Sequence, residues 1–527
     1  MRTIANASGS TSSTWMAETV PTYECDLPDR DPDVCVVGAG IAGLSTALAL
    51  ARQGLAVLVL DQGPIGGGQT ARTCAHLASA LDDRFHVLER RFGRQGARIA
   101  AASHAAAIDA IEANVRELGI ACAFQRVPGY LFDPPGSTHR ELARERGAAR
   151  RAGLVCHDVP RAPLPFDTGP CLQFSRQAEL HPIAYVRGLA EALVAHGGRI
   201  CTARHVVAIR GGEQVELELE RGRRVRATAA IDATHASITS RFDLPLRDAA
   251  YRTYVIAIAV PHGYIPHALY WDTEDPYHYV RVTGDEGREL LLVGGEDHRV
   301  GQGDPVLAFA ALEQWTRDRF PDAADIVARW SGQILQPADG LAYIGPVPGE
   351  RNVYVVTGDS GNGLTHGTVA SLLLPALILH GDHPWAKLYA PDRTHLHGLG
   401  TLAAEAARSN APYADWLRGG DVESLEQIPP GHGATIRRGL HVVAAFKDDH
   451  GNCHLRNARC PHLHGVVRWN DVEQTWDCPC HGSRFDAYGH VLNGPAATDL
   501  GVAPADVAQP SPPSPVLADD AFPARLA

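Results

Sequence analysis

The chain has 527 residues, 45% hydrophobic and 20% charged, which suits two or three folded domains and excludes a disordered or collagen-like chain. With 48 Lys plus Arg against 60 Asp plus Glu, the net charge is -12, so no chain-wide basic surface points to nucleic acid or anionic lipid. The longest apolar run, residues 371–379, falls well short of a bilayer span, so no transmembrane segment is expected.

Residues 1–30 are polar and rich in Ser and Thr, with neither the basic start nor the apolar core of a secretory signal; they read as a disordered head, and the cytoplasm is the default location. Val34–Val37 is a short apolar run ending at Gly38. Residues 41–53 then repeat apolar side chains at helical spacing, Gly54 stops the helix, and a second apolar run closes on Asp61. This is one βαβ unit. Helical stretches such as 97–118 and 182–196 alternate with short strands up to about residue 394, giving an α/β body over 31–394. A poorly patterned helical linker, 395–427, leads to short strands broken by Gly, Asp, Asn and Pro over 428–504, a small β domain. Residues 505–527 are a Pro-rich tail, and no internal repeat is present.

Gly38-Ala39-Gly40-Ile41-Ala42-Gly43 is GxGxxG between a strand and a helix, with an acid 18 residues after the last glycine. Gly38 permits the tight turn, Gly40 admits a pyrophosphate to the helix N-terminus, and Gly43 lets helix and strand pack closely. Asp61, followed by Gln62, is placed to accept from ribose hydroxyls. These features predict a dinucleotide site but do not choose between FAD and NAD.

Gly66-Gly67-Gly68-Gln69-Thr70-Ala71-Arg72-Thr73 resembles the loop that wraps the flavin diphosphate in FAD-dependent oxidoreductases of the D-amino-acid oxidase and sarcosine oxidase superfamily. Residues 197–209 resemble the strand that holds the adenine there, near Val206. Gly358-Asp359-Ser360-Gly361-Asn362-Gly363-Leu364-Thr365 resembles the closing FAD motif, a Gly-rich loop offering N–H groups to the electron-rich edge of a reduced flavin. No second GxGxxG in strand and helix context occurs, so an organic substrate is expected to supply the electrons.

Eleven cysteines are too few for a disulfide scaffold, and only Cys453, Cys460, Cys478 and Cys480 cluster. Cys460-Pro461-His462 and Cys478-Pro479-Cys480-His481 form CxHx15CxxH. Zinc modules usually pair CxxC with two histidines, whereas one Cys and one His from each of two loops suits a Rieske [2Fe-2S] centre, with Cys460 and Cys478 on one iron and His462 and His481 on the other.

Residues 428–500 are similar to Rieske domains, including Gly494-Pro495-Ala496, which looks like the loop that shields the cluster. The resemblance departs in two places. Cytochrome-type domains pair the middle cysteine with one on the first loop, where Gly465 stands here, so Cys480 is expected to be a free thiol. The tyrosine that commonly donates to a ligand sulfur is Phe485, while Ser483, the other usual donor, remains. Losing one hydrogen bond to sulfur is expected to lower the potential. The helical two-histidine and carboxylate spacing of ring-hydroxylating oxygenases is absent from the sequence.

As a whole, residues 33–500 resemble bacterial fusions of such an FAD-dependent oxidoreductase with a C-terminal Rieske domain; Gly294-Gly295-Glu296-Asp297-His298 and residues 476–486 look typical of them. The resemblance implies a Rossmann-like α/β FAD-binding domain with an inserted mixed α+β substrate domain, then the small all-β Rieske domain. It also implies oxidation of a C–N bond in an amine, amino acid or N-methylated amino acid, with electrons passing through the cluster to an external one-electron acceptor. Flavin oxidases of this kind often place a lysine over the flavin; the chain has only Lys387 and Lys447, neither in the middle segment, which predicts a dehydrogenase. The alternatives are an electron-transfer protein or a dehydrogenase of an alcohol or ring substrate.

His278, Tyr279 and Arg281 alternate with apolar neighbours in a substrate-domain strand and are the candidate catalytic residues, with His278 expected to look toward the flavin. The family's carboxylate-binding lysine corresponds to Thr365, so an amino-acid substrate needs another anchor, for which Arg72, Arg281 and Arg299 are candidates. His76 falls where some dimethylglycine-dehydrogenase-like relatives attach flavin covalently.

Overall fold

A computed structural model describes residues 8–24, 27, 30–239, 247–285, 288–393, 411–417 and 419–503. The βαβ unit forms as its pattern demands: strand Val34–Val37, helix Ile41–Arg52 and strand Val57–Leu60. These strands sit inside a six-stranded sheet whose order runs Tyr343–Pro346, Val353–Thr357, Ala229–His235, Val34–Val37, Val57–Leu60, Arg199–Cys201, parallel except at the first pair. Alternation along a strand sends successive side chains to opposite faces, and both faces are covered. Val34, Val36, Val57 and Val59 meet Leu44 and Leu48 of the first helix and Ile183 and Val186 of helix Pro182–Ala195. Cys35, Val37, Leu58 and Leu60 meet Val206, Ile209, Leu217 and Leu219 of a three-stranded antiparallel sheet.

Helix Gly363–His380 has the length and composition to cross a membrane, with mean hydropathy 1.3 over 18 residues. In the fold it is a core helix: Val369, Ala370, Leu373 and Leu374 are buried with Leu44 and Leu48. The two helices cross closely at Gly367, where a methyl would stand 3.1 Å from the Ala42 nitrogen.

The second layer is a nine-stranded, largely antiparallel sheet. Tyr254, Ile256 and Ile258 of strand Asp248–Val260 pack on Phe309, Leu312 and Trp315 of helix Pro305–Arg319, while Val255 and Ala257 face the main core. The C-terminal domain is two antiparallel sheets of three and four strands around Val442, Ala444, Phe446, Trp476 and Phe485.

The N-terminal head differs from the disordered segment expected of its composition. Over residues 8–24 it lies against both domains, with Trp15, Met16 and Val20 buried. Ser13 Oγ donates to Ala71 O at 2.5 Å and Trp15 Nε1 to Thr73 O at 2.7 Å. Its hydroxyls find partners that lie far away in sequence, which composition does not show. Of the linker, residues 394–410 and 418 lie outside the described residues. Ala411–Leu417 is a 3-10 turn against the C-terminal domain, and Val422 bridges Ile436 as part of that domain. The Pro-rich tail also lies outside the described residues.

Candidate functional site

A cavity of about 280 Å³ opens at the carboxyl ends of the parallel strands, where Gly38, Asp61, Thr234 and Gly358 line it. The glycine turn has the expected cause. Gly38 has φ +108 and a Cβ there would strike Ala233 O; a Cβ at Gly43 would strike Gly38 O. Gly43 therefore acts from behind the wall, while Gly38 and Gly40 are on it. Thr70 Oγ1 accepts from Ile41 N at 3.1 Å, which sets the second Gly-rich loop across the helix N-terminus. Asp61 accepts from Ala39 N at 2.6 Å and Gly63 N at 2.7 Å, clamping both loops; burial pushes its carboxyl up to about 6 against those two amides.

Gln62, Thr70, Arg72, Thr73, His76, Val206, Gly361, Asn362, Gly363 and Leu364 all line the cavity. Ala71 and Thr365 do not: Ala71 offers its carbonyl to Ser13, and the Thr365 hydroxyl pairs with His104 Nδ1 at 2.8 Å. Arg72 is on the wall, but its guanidinium is engaged, donating to Ser331 O, Gly9 O, Thr11 O and Glu473. His76 Nε2 is buried without a hydrogen-bond partner, and burial together with Arg281 pushes the imidazole down to about 3.

The far end of the cavity is built from Asp82, Thr253, Trp271, Tyr277, Tyr279 and Asp359. Here the expected strand parity is reversed. Tyr277 and Tyr279 face the cavity, so His278 points the other way. It hydrogen-bonds Asp272 at 3.0 Å and Glu296 at 3.3 Å and stacks on Trp315 at 4.3 Å. Arg281 shares the parity of Tyr279 but its guanidinium is held by the carbonyls of Cys74, Ala75 and Leu180, 3.4 Å from Glu179. The anchor expectation fails at both arginines because backbone carbonyls and acids already engage them; Arg299 lies over the Tyr251 ring. Asp82, Thr253 and Tyr277 carried no motif in the sequence, and Asp297, beside them, appeared only within the stretch typical of the fusions.

In the C-terminal domain, Cys460 and His462 sit on one loop and Cys478 and His481 on another, each a tight turn. Cys460 N donates to Gly465 O at 2.9 Å and His464 N to Cys460 O at 3.0 Å; Cys478 N donates to Ser483 O at 2.8 Å and Gly482 N to Cys478 O at 3.0 Å. The three cysteines 460, 478 and 480 are buried together, and the rings of His462 and His481 stand perpendicular with centroids 5.1 Å apart. Burial first, then the neighbouring histidine, holds each imidazole neutral, at about 4. His481 Nδ1 is buried with no partner, an orphan that a bound iron would satisfy. Two thiols and two neutral imidazoles facing one another fit a [2Fe-2S] centre of the mixed type. Cys480 forms no disulfide, and its sulfur occupies the space a Cβ at Gly465 would take.

The two sites meet. Residues 491–494 and Ala496 of the C-terminal domain line the cavity of the first, and Gln62 Nε2 donates to Leu492 O at 2.7 Å. Behind that loop, His481 and Pro495 face Ala236, Ser237, Leu335 and Thr357, and Thr357 lines the cavity as well. Gln333 Nε2 donates to Gly482 O at 2.8 Å. A buried ionic cluster locks the seam: Arg72 to Glu473 at 3.0 Å, Arg484 to Asp477 at 2.8 Å and Arg252 to Asp477 at 3.7 Å.

Comparison with known proteins accords with this geometry. The FAD dependent oxidoreductase family matches residues 33–377 and the Rieske [2Fe-2S] domain residues 420–506. YhfW of Bacillus subtilis (strain 168), named as a Rieske 2Fe-2S iron-sulfur protein, is 31% identical over 494 residues, covering 92% of this chain and 96% of its own. Gamma-glutamylputrescine oxidoreductase of Escherichia coli (strain K12) is 28% identical over 372 residues, 66% of this chain and 84% of its own. The crystal structure of glycine oxidase from Geobacillus kaustophilus superposes with TM-score 0.59 at 19% identity, over 69% of this chain and 99% of that one. The chain thus belongs to the FAD-dependent oxidoreductases of the D-amino-acid oxidase type, with FAD as the cofactor of the first site and a C-terminal Rieske domain that binds a [2Fe-2S] cluster at the second.

Proposed function

We propose that this protein is a dehydrogenase that oxidises a C–N bond of an amine, amino acid or N-methylated amino acid, its electrons leaving through its own Rieske centre to an external one-electron acceptor. The observation that carries the reading is the shared loop: residues 491–494 and Ala496 wall the cavity, and Pro495 lies beside His481. Bound FAD supplies a two-electron acceptor and the [2Fe-2S] centre a one-electron carrier.

The chain's own residues do the rest. Tyr277, Tyr279 and Trp271 wall the substrate end and exclude water. Thr253 Oγ1 pairs with Tyr279 Oη at 2.9 Å and also with Asp297, whose carboxyl burial pushes up to about 7, with Asp82 adding to the rise. A carboxyl in that range takes and returns a proton near neutrality; Asp297 is off the cavity wall, so it serves as a base for the substrate nitrogen through the Thr253 hydroxyl, which is on it. Neither Lys387 nor Lys447 lines the cavity, in keeping with slow turnover by oxygen.

The test is anaerobic mixing of the full chain, loaded with both cofactors, with a panel of amines, amino acids and alcohols. Flavin bleaching by a C–N substrate, followed by the reduced-cluster paramagnetic signal at a rate independent of protein concentration, is the expected result. Bleaching with the cluster left oxidised, or bleaching by alcohols alone, would refute it, as would stoichiometric peroxide formed rapidly in air.

A further inference from the structure

The substrate end of the cavity is acidic and aromatic. Asp82 and Asp359 are on its wall, and a Cβ at Gly361 would lie 2.5 Å from Asp82 Oδ2 and 3.8 Å from the Tyr277 hydroxyl, so these two groups converge there. Asp297 lies off the cavity wall, against the Thr253 hydroxyl and near enough for its charge to act on Tyr277 and Tyr279; its Oδ1 is buried with no hydrogen-bond partner. Burial pushes Asp82 up to about 6 and Asp359 to about 7, and the charge of Asp82 raises Asp359 further. Three carboxyls are thus gathered where water cannot fully solvate them. Rings of Trp271, Tyr277 and Tyr279 line the same end, the two tyrosine centroids 5.7 Å apart.

Among the described residues the charges that reach these acids come from outside the cavity, Arg84 on Asp82 and His278 on Asp297, while His235, on the wall 3.9 Å from Asp359, is held neutral by burial, at about 4. Arg281 and Arg72 are engaged elsewhere, as above, and Arg84 donates to Asp272 O at 3.0 Å. A substrate carboxylate entering this end would add a fourth acid without a counter-charge. An ammonium would instead restore ionisation to the buried carboxyls and stack its positive charge on the aromatic faces.

We propose that this end of the cavity selects a substrate bearing a second cationic nitrogen and no carboxylate on the carbon next to the reacting nitrogen: a diamine or polyamine, not an α-amino acid. The inference rests on the C–N dehydrogenase reading and narrows its substrate class. Asp82 is the principal cation contact, with the Tyr277 ring and hydroxyl beside it.

The experiment is an anaerobic titration of the full-length holoprotein, read as the perturbation of the flavin absorbance. The probes are 1,4-diaminobutane, N-methyl-1,4-diaminobutane, 1-aminobutane, glycine, sarcosine and L-proline. The diamines are expected to bind about tenfold or more tighter than 1-aminobutane and the amino acids, the scale of one charge-assisted contact. Asp82→Asn should remove that advantage without weakening 1-aminobutane, and Tyr277→Leu, which removes the ring and hydroxyl beside Asp82, serves if Asp82→Asn releases FAD. Amino acids binding as tightly as the diamines, or an advantage untouched in both variants, overturns the proposal. Failure of the parent reading looks different: diamines then bind with the same advantage yet never bleach the flavin.

Discussion

Glu473 is the residue on which the seam between the two domains turns. It sits in the turn between strands Arg468–Asn470 and Thr475–Asp477 and is 1% exposed. Its carboxylate accepts from Arg72 Nη1 at 3.0 Å, from Thr11 Oγ1 at 2.6 Å and N at 3.1 Å, and from Ser331 Oγ. Rieske domain, flavin loop, N-terminal head and substrate sheet all meet on it. Around it three guanidiniums, Arg72, Arg252 and Arg484, face only two carboxylates, Glu473 and Asp477. Glu473→Ala leaves three buried cations sharing one acid, and removing one partner of a buried pair costs about 3–5 kcal/mol. That is a large part of the roughly 5–15 kcal/mol that holds a domain folded. Denaturant unfolding followed by flavin release, together with the rate at which electrons reach the cluster after anaerobic reduction, measures the effect. We expect early FAD release and an electron-passage rate at least tenfold slower, with all four cluster ligands intact. A Glu473→Ala protein that unfolds within about 1 kcal/mol of the parent, below the range for a broken buried pair, and passes electrons at the parental rate would refute the reasoning.

Acid should open the same seam. Burial pushes Asp477 up, but Arg484 and Arg252 overcome it and hold the carboxyl at about 2; Glu473 is likewise held low by its arginines. A depressed folded-state value means the stabilisation is complete above the ordinary carboxylate range, near pH 4, and is lost as pH falls toward about 2; acid titration of flavin release should show that window. Gly43→Ala should abolish FAD binding, since the added methyl strikes Gly38 O, and the purified variant should be colourless in the flavin bands once the cluster spectrum is subtracted. Asp297→Asn should remove an acid limb near pH 7 from kcat/KM, because the carboxyl serves as a base only when ionised, above about 7.

Both cofactor centres were legible in the sequence, because each is written in contiguous residues. Gly38, Gly40, Gly43 and Asp61 lie in one βαβ unit, and Cys460 with His462 and Cys478 with His481 lie on two short loops whose spacing dictates the chemistry. The βαβ unit within the six-stranded sheet followed from apolar runs and helical spacing for the same reason. What spacing along the chain leaves open is which side chains meet across it. Strand His278–Asp285 alternates visibly, yet only its pairing with Leu269–Asp272 and Arg288–Arg299 decides that Tyr279 turns inward and His278 outward. Arg72 looks like an anion anchor until Glu473, 401 residues later, engages it. The head looks disordered until its Thr11 hydroxyl meets that same glutamate. A loop of the cluster domain becomes the wall of the flavin cavity only through docking. Short-range covalent spacing determines ligand sets; long-range packing and the pairing of buried charges determine which ligands remain free to act.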